Sequence, residues 1–414
     1  MEDTMTETPP EPSFTETPEL VRIPVSRLDT RSDAEITEFL LRHQPVTSEK
    51  NLWTYWHAGF LAMRPWVRRN VLGWVRRLGP GWTVRVLDDV PGSPANAARY
   101  LPAEDLPEAF RSGAMTGPYA GVHGSDMVRL PLIYRHGGVW LDAGTMLFRH
   151  LDAICWDAIC DPGTPYEIAG FAPGTEPGND VVMNGFVAAR RGNGFVRRWH
   201  DVFAAIWSDH GGTDCVGLRH HPLLRQVKKV QVPLEMQVKF GIDNDLMNDY
   251  VAQVLSFKRV RMLRDPADGF DGAKYWERHA YVLPVQETFL AQIMTGFDGQ
   301  RQFDLLALPR RDGAGAGDRT AEEEEAEKLV RALLSGAATL KLSHGLKNNR
   351  LVHLAKLWDL PEHADADVAP GTYAAYLRWG SVHLEQTRAL EPQTVRCGGP
   401  VLEAGLLEVV DDAE

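Results

Sequence analysis

A carboxylate stands directly after a short apolar run near residue 140. Val139, Trp140 and Leu141 favour a strand, and the run is too short for a helix. Asp142 follows at once, so it is predicted at the carboxyl end of this strand. Because ligands of open α/β sheets bind outside the carboxyl ends of strands, Asp142 is a candidate catalytic residue. The alternative is a turn-forming aspartate, since Asp before Gly is common in turns.

An acid and a base precede this strand on a predicted helix. Ser125 can cap the helix, Asp126 complements its positive end, and a glycine pair can close it, so a helix is predicted over about residues 126–136. Asp126 and Arg129 are three residues apart and share a face. We expect both to project from the first turn toward whatever lies beyond the helix N-terminus. Pro131 is a misfit, since it lacks the N–H that a helix interior uses.

The upstream segments predict the sheet that must position these residues. Residues 52–56 (LWTYW) have strand propensity, residues 66–78 carry apolar side chains at helical spacing, and residues 82–88 (WTVRVLD) alternate as a strand does. Strand, helix and strand in this order are typical of a doubly wound α/β unit. A later strand is predicted over residues 338–342.

Composition excludes several classes of partner. The chain has 414 residues and a formal net charge of −12, whereas a nucleic-acid partner requires a basic footprint. Its apolar runs, such as residues 202–207, are far shorter than the roughly 20 residues that span a bilayer. The acidic N-terminus lacks the apolar core of a signal peptide. The sequence therefore predicts no nucleic-acid partner, no transmembrane segment and a cytoplasmic location.

The central stretch resembles the signature of a known enzyme family. The run SDMVRLPLIYRHGGVWLDAGTML resembles the capsular-polysaccharide-synthesis and sugar-binding-motif glycosyltransferases, a DxD-type family with the GT-A fold that also includes the large clostridial glucosylating toxins. The shared pattern is Ser-Asp, two apolar residues, Arg, an apolar helix, Gly-Gly, an aromatic residue and Leu-Asp. NLWTYWHAGF and MRPWVRRNVLGW similarly resemble the opening strand and first helix of that family. One departure is Gly144, which stands where the family commonly has a second Asp.

The resemblance implies a GT-A-like, doubly wound nucleotide-sugar-binding α/β fold with additional helices. Four segments are predicted on this basis: a disordered N-terminus (1–20), an N-terminal helical segment (21–48), the GT-A-like glycosyltransferase domain (49–360), and a C-terminal helix with an acidic tail (361–414). The first segment is rich in Glu, Thr and Pro and has little apolar surface to bury, which is typical of disorder.

The same resemblance assigns roles to residues outside the central stretch. The opening strand of such enzymes ends at the nucleotide, so Trp53, Tyr55 and Trp56 are candidates for stacking on the base, with a core role as the alternative. A strand asparagine in a later family segment corresponds to Asn184, whose amide can bind donor-sugar hydroxyls. The alternative for Asn184 is an Asx turn in a loop.

The diphosphate leaving group requires nearby positive charge. A late strand in such families ends in a Lys-x-x-His segment, which Lys341 and His344 match. Asp142 and His344 are the predicted ligands of Mn²⁺ or Mg²⁺, held loosely because Gly144 offers no carboxylate. If a metal ion does not neutralise the diphosphate, Lys341 and Lys347 are the candidate cations.

The predicted function is a hexosyltransferase-type glycosyltransferase. It would move a sugar from a nucleoside-diphosphate sugar to a hydroxyl acceptor in polysaccharide or glycoconjugate biosynthesis, with retention of anomeric configuration implied by the resemblance. Asp126 and Arg129 are the predicted ligands of the donor sugar. One alternative is a catalytically silent nucleotide-sugar-binding protein with a degenerate DxD motif. Another is an unrelated nucleotidyltransferase. The sequence argues against it, because it has neither a GxxxxGK[ST] loop nor a GxGxxG run before a helix.

Overall fold

The structure, a computed structural model, describes residues 12–174, 181–211, 213–311, 319–347, 349–396 and 398–410. Residues 1–11 of the predicted N-terminal segment and residues 411–414 of the predicted tail lie outside the described residues.

The strands of the structure are β1 (Leu20–Arg22), β2 (Asn51–Tyr55), β3 (Thr83–Leu87), β4 (Gly138–Leu141), β5 (Thr145–Leu147), β6 (Ile168–Ala172), β7 (Phe186–Ala189), β8 (Leu263–Arg264), β9 (Ala280–Pro284), β10 (Thr339–Lys341), β11 (Leu384–Gln386) and β12 (Leu402–Glu403).

Helices cover the sheet and account for most of the regular secondary structure in the second half of the chain. They are α1 (Asp33–Leu40), α2 (Pro65–Leu78), α3 (Glu108–Arg111), α4 (Ala120–His136), α5 (Asp157–Cys160), α6 (Gly194–His210), α7 (Leu234–Phe240), α8 (Asn244–Tyr250), α9 (Ala252–Met262), α10 (Gly272–His279), α11 (Gln286–Met294), α12 (Gly299–Ala307), α13 (Ala321–Gly336), α14 (Leu354–Trp358) and α15 (Tyr373–His383). In the described part of the chain, none of these helices has the length and apolar character needed to cross a bilayer.

Six strands form the central sheet, in the order β3-β2-β4-β7-β6-β9. β3, β2 and β4 run parallel, and β6 runs parallel to β9, whereas β7 is antiparallel to both of its neighbours. The predicted strands at residues 52–56 and 82–88 are confirmed as β2 and β3, with bounds shifted by one residue. The class is therefore mixed α/β with a mostly parallel central sheet.

Side chains of the central strands alternate between two cores. Leu52 of β2 and Val139 of β4 pack with α2, α13 and α15, whereas Trp53 and Trp140 point to the other face and pack with α4, α6 and α9. Strands covered on both faces by helices are buried along their whole length, and all five positions of β2 are buried. The sheet is thus a rigid platform whose strand ends can hold functional side chains.

The helix that carries Asp126 begins earlier than the sequence predicts. It starts at Ala120, and Ser125 is not its cap, because the Ser125 hydroxyl donates to the Val122 carbonyl at 2.6 Å inside the helix. Asp126 therefore lies in the second turn. The expectation that Asp126 and Arg129 project beyond the helix N-terminus is wrong, and their side chains lie buried along its flank.

Two glycines near the start of α4 explain why the predicted helix begins too late. A Cβ at Gly121 would lie 2.7 Å from Nδ1 of His57, and a Cβ at Gly124 would lie 3.0 Å from the Tyr55 hydroxyl. Both glycines therefore serve the close approach of α4 to the end of β2, at a cost in intrinsic helix propensity. Pro131 is accommodated within the same helix.

Candidate active site

Two adjoining cavities open at the carboxyl ends of β2 and β4. β3 lies on one side of β2 and β4 on the other, so the chain connections diverge at this point of the sheet, where ligands of open α/β sheets bind. The cavities have volumes of about 410 Å³ and about 310 Å³. Residues that line both are Val122, Asp142, Tyr250, Lys341 and Ser343.

The two cavities differ in their walls. The larger, here called the apolar cavity, is lined by Leu141, Phe171, Val182, Met183, Phe186 and Val254, among others. The smaller, here called the aromatic cavity, is lined by Tyr55, Trp56, Trp66 and Trp140 together with His57 and His344. A polar junction with a charged pair therefore separates two environments of different chemistry.

Asp142 lies at this junction with both carboxylate oxygens engaged. Oδ1 accepts hydrogen bonds from Trp140 Nε1 at 2.8 Å and from Arg129 at 3.0 Å, and Oδ2 accepts from the Lys341 ammonium. Burial alone would raise the pKa of the Asp142 carboxyl, but the charges of Lys341 and Arg129 lower it below its ordinary value. Asp142 is thus an ionised group held by two cations, and 26% of its side chain is exposed.

Lys341 reaches Asp142 because two distant segments pair as strands. β10 runs antiparallel to β5, with Lys341 opposite Thr145. The Leu342 amide donates to the Gly144 carbonyl at 2.7 Å, which extends the ladder by one bond toward Asp142. The strand predicted over residues 338–342 is confirmed as β10, and it places the Lys341 side chain, 22% exposed, in both cavities.

Behind Asp142 the charges continue into the core. Arg129, only 2% exposed, bonds Asp126 as well as Asp142, and Asp126 bonds His123 Nδ1 at 3.1 Å. Burial would lower the pKa of His123, but hydrogen bonds with Asp126 and Cys215 raise it to about 9. His123 is therefore cationic at neutral pH, so charges alternate in sign from His123 through Asp126, Arg129 and Asp142 to Lys341.

Asn184 joins the same network. Its amide Nδ2 donates to Asp126 Oδ1 at 3.2 Å and to Gln253 Oε1 at 3.0 Å. The Gln253 amide donates to the Asp126 carbonyl at 2.7 Å, which ties α9 to α4. Asp126, Arg129 and Asn184 also line the apolar cavity, so they give this cavity one polar end beside Asp142.

The predicted nucleotide-stacking residues have different environments. Tyr55 and Trp56 line the aromatic cavity. Trp53 is fully buried in the core, and its Nε1 donates to the Gly137 carbonyl at 2.9 Å. Since the described residues leave no face of the Trp53 ring open to solvent, the core alternative applies to Trp53, and it has no surface on which a base can stack.

The residues predicted to bind the metal ion and the diphosphate also lie in different environments. His344 lines the aromatic cavity, but its Nε2 pairs with Asp359 Oδ2 at 2.9 Å. Lys347 has an exposed side chain, and its amide donates to the Tyr119 hydroxyl at 2.9 Å. Of the two predicted lysines, only Lys341 lines the cavities in the part of the chain that the structure describes.

The residues present do not fit a resident Mn²⁺ or Mg²⁺. Among the described residues, no group of three or more His, Cys, Asp or Glu side chains is arranged to hold a metal ion. The two predicted ligands, Asp142 and His344, already have partners: Lys341 and Arg129 for the first and Asp359 for the second. A divalent cation prefers several free oxygen ligands, whereas the Asp142 carboxylate is already paired with two cations.

Sequence reasoning did not find His123, Tyr250 and Gln253. Tyr250 lines both cavities, and Gln253 bonds the Arg129 guanidinium. A signal for Gln253 exists in the sequence, because it is a polar residue in the apolar run VAQVLSF, and a buried amide requires polar partners. No comparable signal marks His123, whose partner Asp126 becomes a neighbour only once the helix is seen to include both.

Comparisons with known proteins show the family to which the chain belongs. The family model described as "Capsular polysaccharide synthesis protein" matches residues 25–214. The O-glycosyltransferase braB of Annulohypoxylon truncatum is 44% identical over 402 residues, covering 94% of this chain and 93% of braB. The glycosyltransferase afumC of Aspergillus fumigatus is 43% identical over 389 residues, covering 93% of this chain and 97% of afumC.

A solved structure, the PaToxG glycosyltransferase, has a TM-score of 0.31 and 12% identity, covering 54% of this chain and 86% of that one. This likeness is too low to carry an argument about the fold. The sequence matches, in contrast, span nearly the whole length of both proteins at more than 40% identity. The chain therefore belongs to the same family as braB and afumC and, like these named relatives, is a glycosyltransferase, with the capsular polysaccharide synthesis match confined to residues 25–214.

Proposed function

We propose that this glycosyltransferase transfers a hexosyl group from a nucleoside-diphosphate sugar to a hydroxyl group of an apolar acceptor, on a GT-A-like platform and with retention of configuration. The observation that carries the proposal is the meeting of two unlike cavities at Asp142 and Lys341. One cavity suits a nucleotide and the other suits an apolar molecule. The reacting atoms would then meet at the junction.

The donor fits the aromatic cavity. The rings of Tyr55 and Trp56 provide surfaces for the nucleotide base at the end of β2. Lys341 lines the same cavity, which supports a role for its ammonium in binding the diphosphate. The sugar would extend into the junction, where Asp126, Arg129 and Asn184 form the polar end of the apolar cavity.

The acceptor fits the apolar cavity. Its walls are mostly aliphatic and aromatic side chains, such as Phe171, Met183 and Val254, which gain from contact with apolar surface and offer no partners to a glycan. One relative is named an O-glycosyltransferase, which supports a hydroxyl acceptor. An apolar molecule with a hydroxyl group therefore fits this cavity better than a glycan acceptor does.

The chemistry follows from this placement. The bond between the anomeric carbon and the diphosphate oxygen breaks, the acceptor oxygen bonds to that carbon, and the acceptor proton passes to the departing diphosphate. Lys341 would stabilise the negative charge that develops on the diphosphate oxygen, and the enclosed junction would limit competing hydrolysis. Asp142 would hold Lys341 and Arg129 in position.

A paired assay of donor and acceptor use tests this proposal. A panel of nucleoside-diphosphate hexoses is offered with straight-chain primary alcohols of increasing length and, separately, with oligosaccharides. We expect transfer to the longer alcohols, with the α or β configuration of the product read by NMR. Efficient transfer to oligosaccharides alone would contradict the apolar acceptor, and nucleotide-sugar binding without any turnover would favour the catalytically silent alternative.

Variants of the cavity wall sharpen the assay. Met247→Asp places a charge in the apolar cavity and is expected to raise the acceptor KM by roughly tenfold or more, while donor hydrolysis changes little, because burying an unpaired carboxylate next to the acceptor is unfavourable. Met294→Asp is the matched control, since Met294 is exposed on α11. Equal effects of both variants would contradict the assignment of the apolar cavity to the acceptor.

A further inference from the structure

The turn between β4 and β5 has no space for a second carboxylate. A Cβ at Gly144 would lie 2.5 Å from the Leu342 carbonyl oxygen, closer than real Cβ contacts allow, and 3.6 Å from the Trp66 ring. The close atom belongs to the backbone, so no side-chain rotation relieves the contact. Gly144 is therefore required by the approach of β10, and an aspartate at this position would force the two strands apart.

The surrounding hydrogen bonds hold this turn in place. The Gly144 carbonyl accepts from the Leu342 amide at 2.7 Å. The carbonyl of Ala143, on one side, accepts from Asn70 at 3.1 Å, and the carbonyl of Thr145, on the other, accepts from Trp74 at 2.9 Å. Three successive carbonyl groups are thus fixed by α2 and β10, which leaves the turn little freedom to accommodate a larger residue.

The same strand that excludes the carboxylate delivers a cation. Lys341 precedes Leu342, and its ammonium contacts Asp142 Oδ2. Gly185 provides the space for this pair, because a Cβ there would lie 2.8 Å from Asp142 Oδ2 and would also meet the Lys341 ammonium. One carboxylate is therefore flanked by two cations, Lys341 and Arg129, and a divalent cation approaching Asp142 would be repelled by both.

We infer that Lys341 takes the role of a divalent cation at the diphosphate leaving group, so that transfer needs no metal ion bound by the protein. The inference rests on the proposed function. When the leaving group gains negative charge, Lys341 can turn from Asp142 to the diphosphate oxygen. Asp142 then keeps its bonds from Arg129 and Trp140 and is not left without partners.

Nucleotide binding with and without metal tests the inference apart from activity. The protein is treated with excess EDTA and titrated in a calorimeter with ADP, GDP, UDP and TDP, then again with Mn²⁺ present. For the diphosphate that binds best, we expect dissociation constants that agree within about threefold between the two conditions. A loss of about 100-fold or more on chelation, or tight binding of Mn²⁺ to the protein without nucleotide, would overturn the inference.

Lys341→Met removes the ammonium and keeps the length of the side chain. In EDTA we expect it to weaken nucleoside-diphosphate binding by about tenfold or more, the scale of a lost charge-assisted hydrogen bond. Lys274→Met is the matched control, because Lys274 is 79% exposed and forms a surface ion pair on α10. Wild-type affinity of Lys341→Met in EDTA would overturn the inference. If the single variant does not fold, Lys341→Met combined with Asp142→Asn removes both charges and is measured in the same way.

Gly144→Asp tests the steric half of the inference. It restores the carboxylate of a DxD motif, but we expect a lower melting temperature and no binding of Mn²⁺, because the strand pair is forced apart. A folded Gly144→Asp protein that binds Mn²⁺ would overturn this part. Turnover that requires Mn²⁺ in the wild-type protein would refute the inference and leave the proposed function intact, whereas failure to bind any nucleoside diphosphate or its sugar in either condition would refute both.

Discussion

Arg129 and Asp142 are joined by a hydrogen bond of 3.0 Å that links the central helix to the end of the central strand. The same guanidinium lies over the ring of Trp140, with its carbon 4.9 Å from the ring centroid, and Trp140 itself donates to Asp142. The three side chains therefore form one unit in which a buried cation, an aromatic ring and a carboxylate fix one another.

Loss of Arg129 should affect stability as well as activity. Arg129→Ala leaves Asp126 and part of Asp142 without their buried partner, and breaking such a pair costs about 3–5 kcal/mol of unfolding free energy. Urea denaturation followed by circular dichroism measures this value. Arg264→Ala is the control, since Arg264 forms an exposed pair with Glu403 and its loss should cost less than about 1 kcal/mol. Equal losses of unfolding free energy in the two variants would show that the buried network contributes no more to stability than an exposed ion pair does.

Asp142→Asn should lower the transfer rate by about 100-fold or more, because the amide no longer holds the Lys341 ammonium by charge. The substitution is nearly isosteric and keeps an oxygen to accept from Trp140. The measurement is kcat for donor hydrolysis and transfer, with the circular dichroism spectrum as a check of folding. Asp365→Asn, at a side chain that is 80% exposed, should leave the rate unchanged. An Asp142→Asn enzyme with at least half of the wild-type rate contradicts the assignment.

Stability should fall at alkaline pH because of His123. Its folded pKa of about 9 lies above the ordinary value of 6.5, so its stabilisation is complete below about pH 6.5 and is lost as the pH rises through about 9. The corresponding loss of unfolding free energy is about 3 kcal/mol. Burial lowers the pKa of His200 and of His353 to about 4, so these two groups reduce the stability only as the pH falls below about 6.5.

Urea titrations of the wild type and of His123→Gln at about pH 7.5 and about pH 9.5 measure the His123 effect as the difference between the two proteins. His123→Gln should be less stable than the wild type at the lower pH and should show a smaller change between the two values. His200→Gln serves as the control, since it should leave the alkaline loss in place. An alkaline loss of the same size in His123→Gln would assign the effect to other groups.

Trp56→Ala should weaken nucleoside-diphosphate binding by about tenfold, since stacking of a base on an aromatic ring contributes about 1–3 kcal/mol. Calorimetric titration measures the change. Trp379→Ala is the control, because Trp379 is a partly buried indole on α15 that stacks on Tyr376 and His383, away from the strand ends. If the two variants bind equally well, the base does not stack on Trp56.

The parts of the site that sequence reasoning found are those set by local pattern. Asp142 follows an apolar strand, and α2 was predicted to within one residue because its apolar spacing is regular. The start of α4 was missed because Gly124 and Ser125 resemble a cap, whereas the glycine serves close packing on Tyr55. Local signals cannot separate a glycine that ends a helix from one that permits contact.

The partners within the site depend on contacts between distant parts of the chain. Lys341 was a candidate for the diphosphate, but its pairing with Asp142 follows from the register of β10 on β5. The bond from Gln253 to Asp126 depends likewise on the packing of α9 against α4. Register and helix packing are decided by the whole core, so residues at the junction can be nominated from sequence, but their partners cannot.

The pairing of β10 with β5 also has a consequence for biosynthesis. Asp142 and Lys341 are 199 residues apart, so at translation rates of roughly 5–20 residues per second the carboxylate is made about 10–40 s before its ammonium partner. During that interval the nascent chain can contain all of β2, β4 and β7, but the Gly144 turn has no β10 beside it. A ribosome-bound chain can thus form part of its central sheet before Lys341 is available to pair with Asp142.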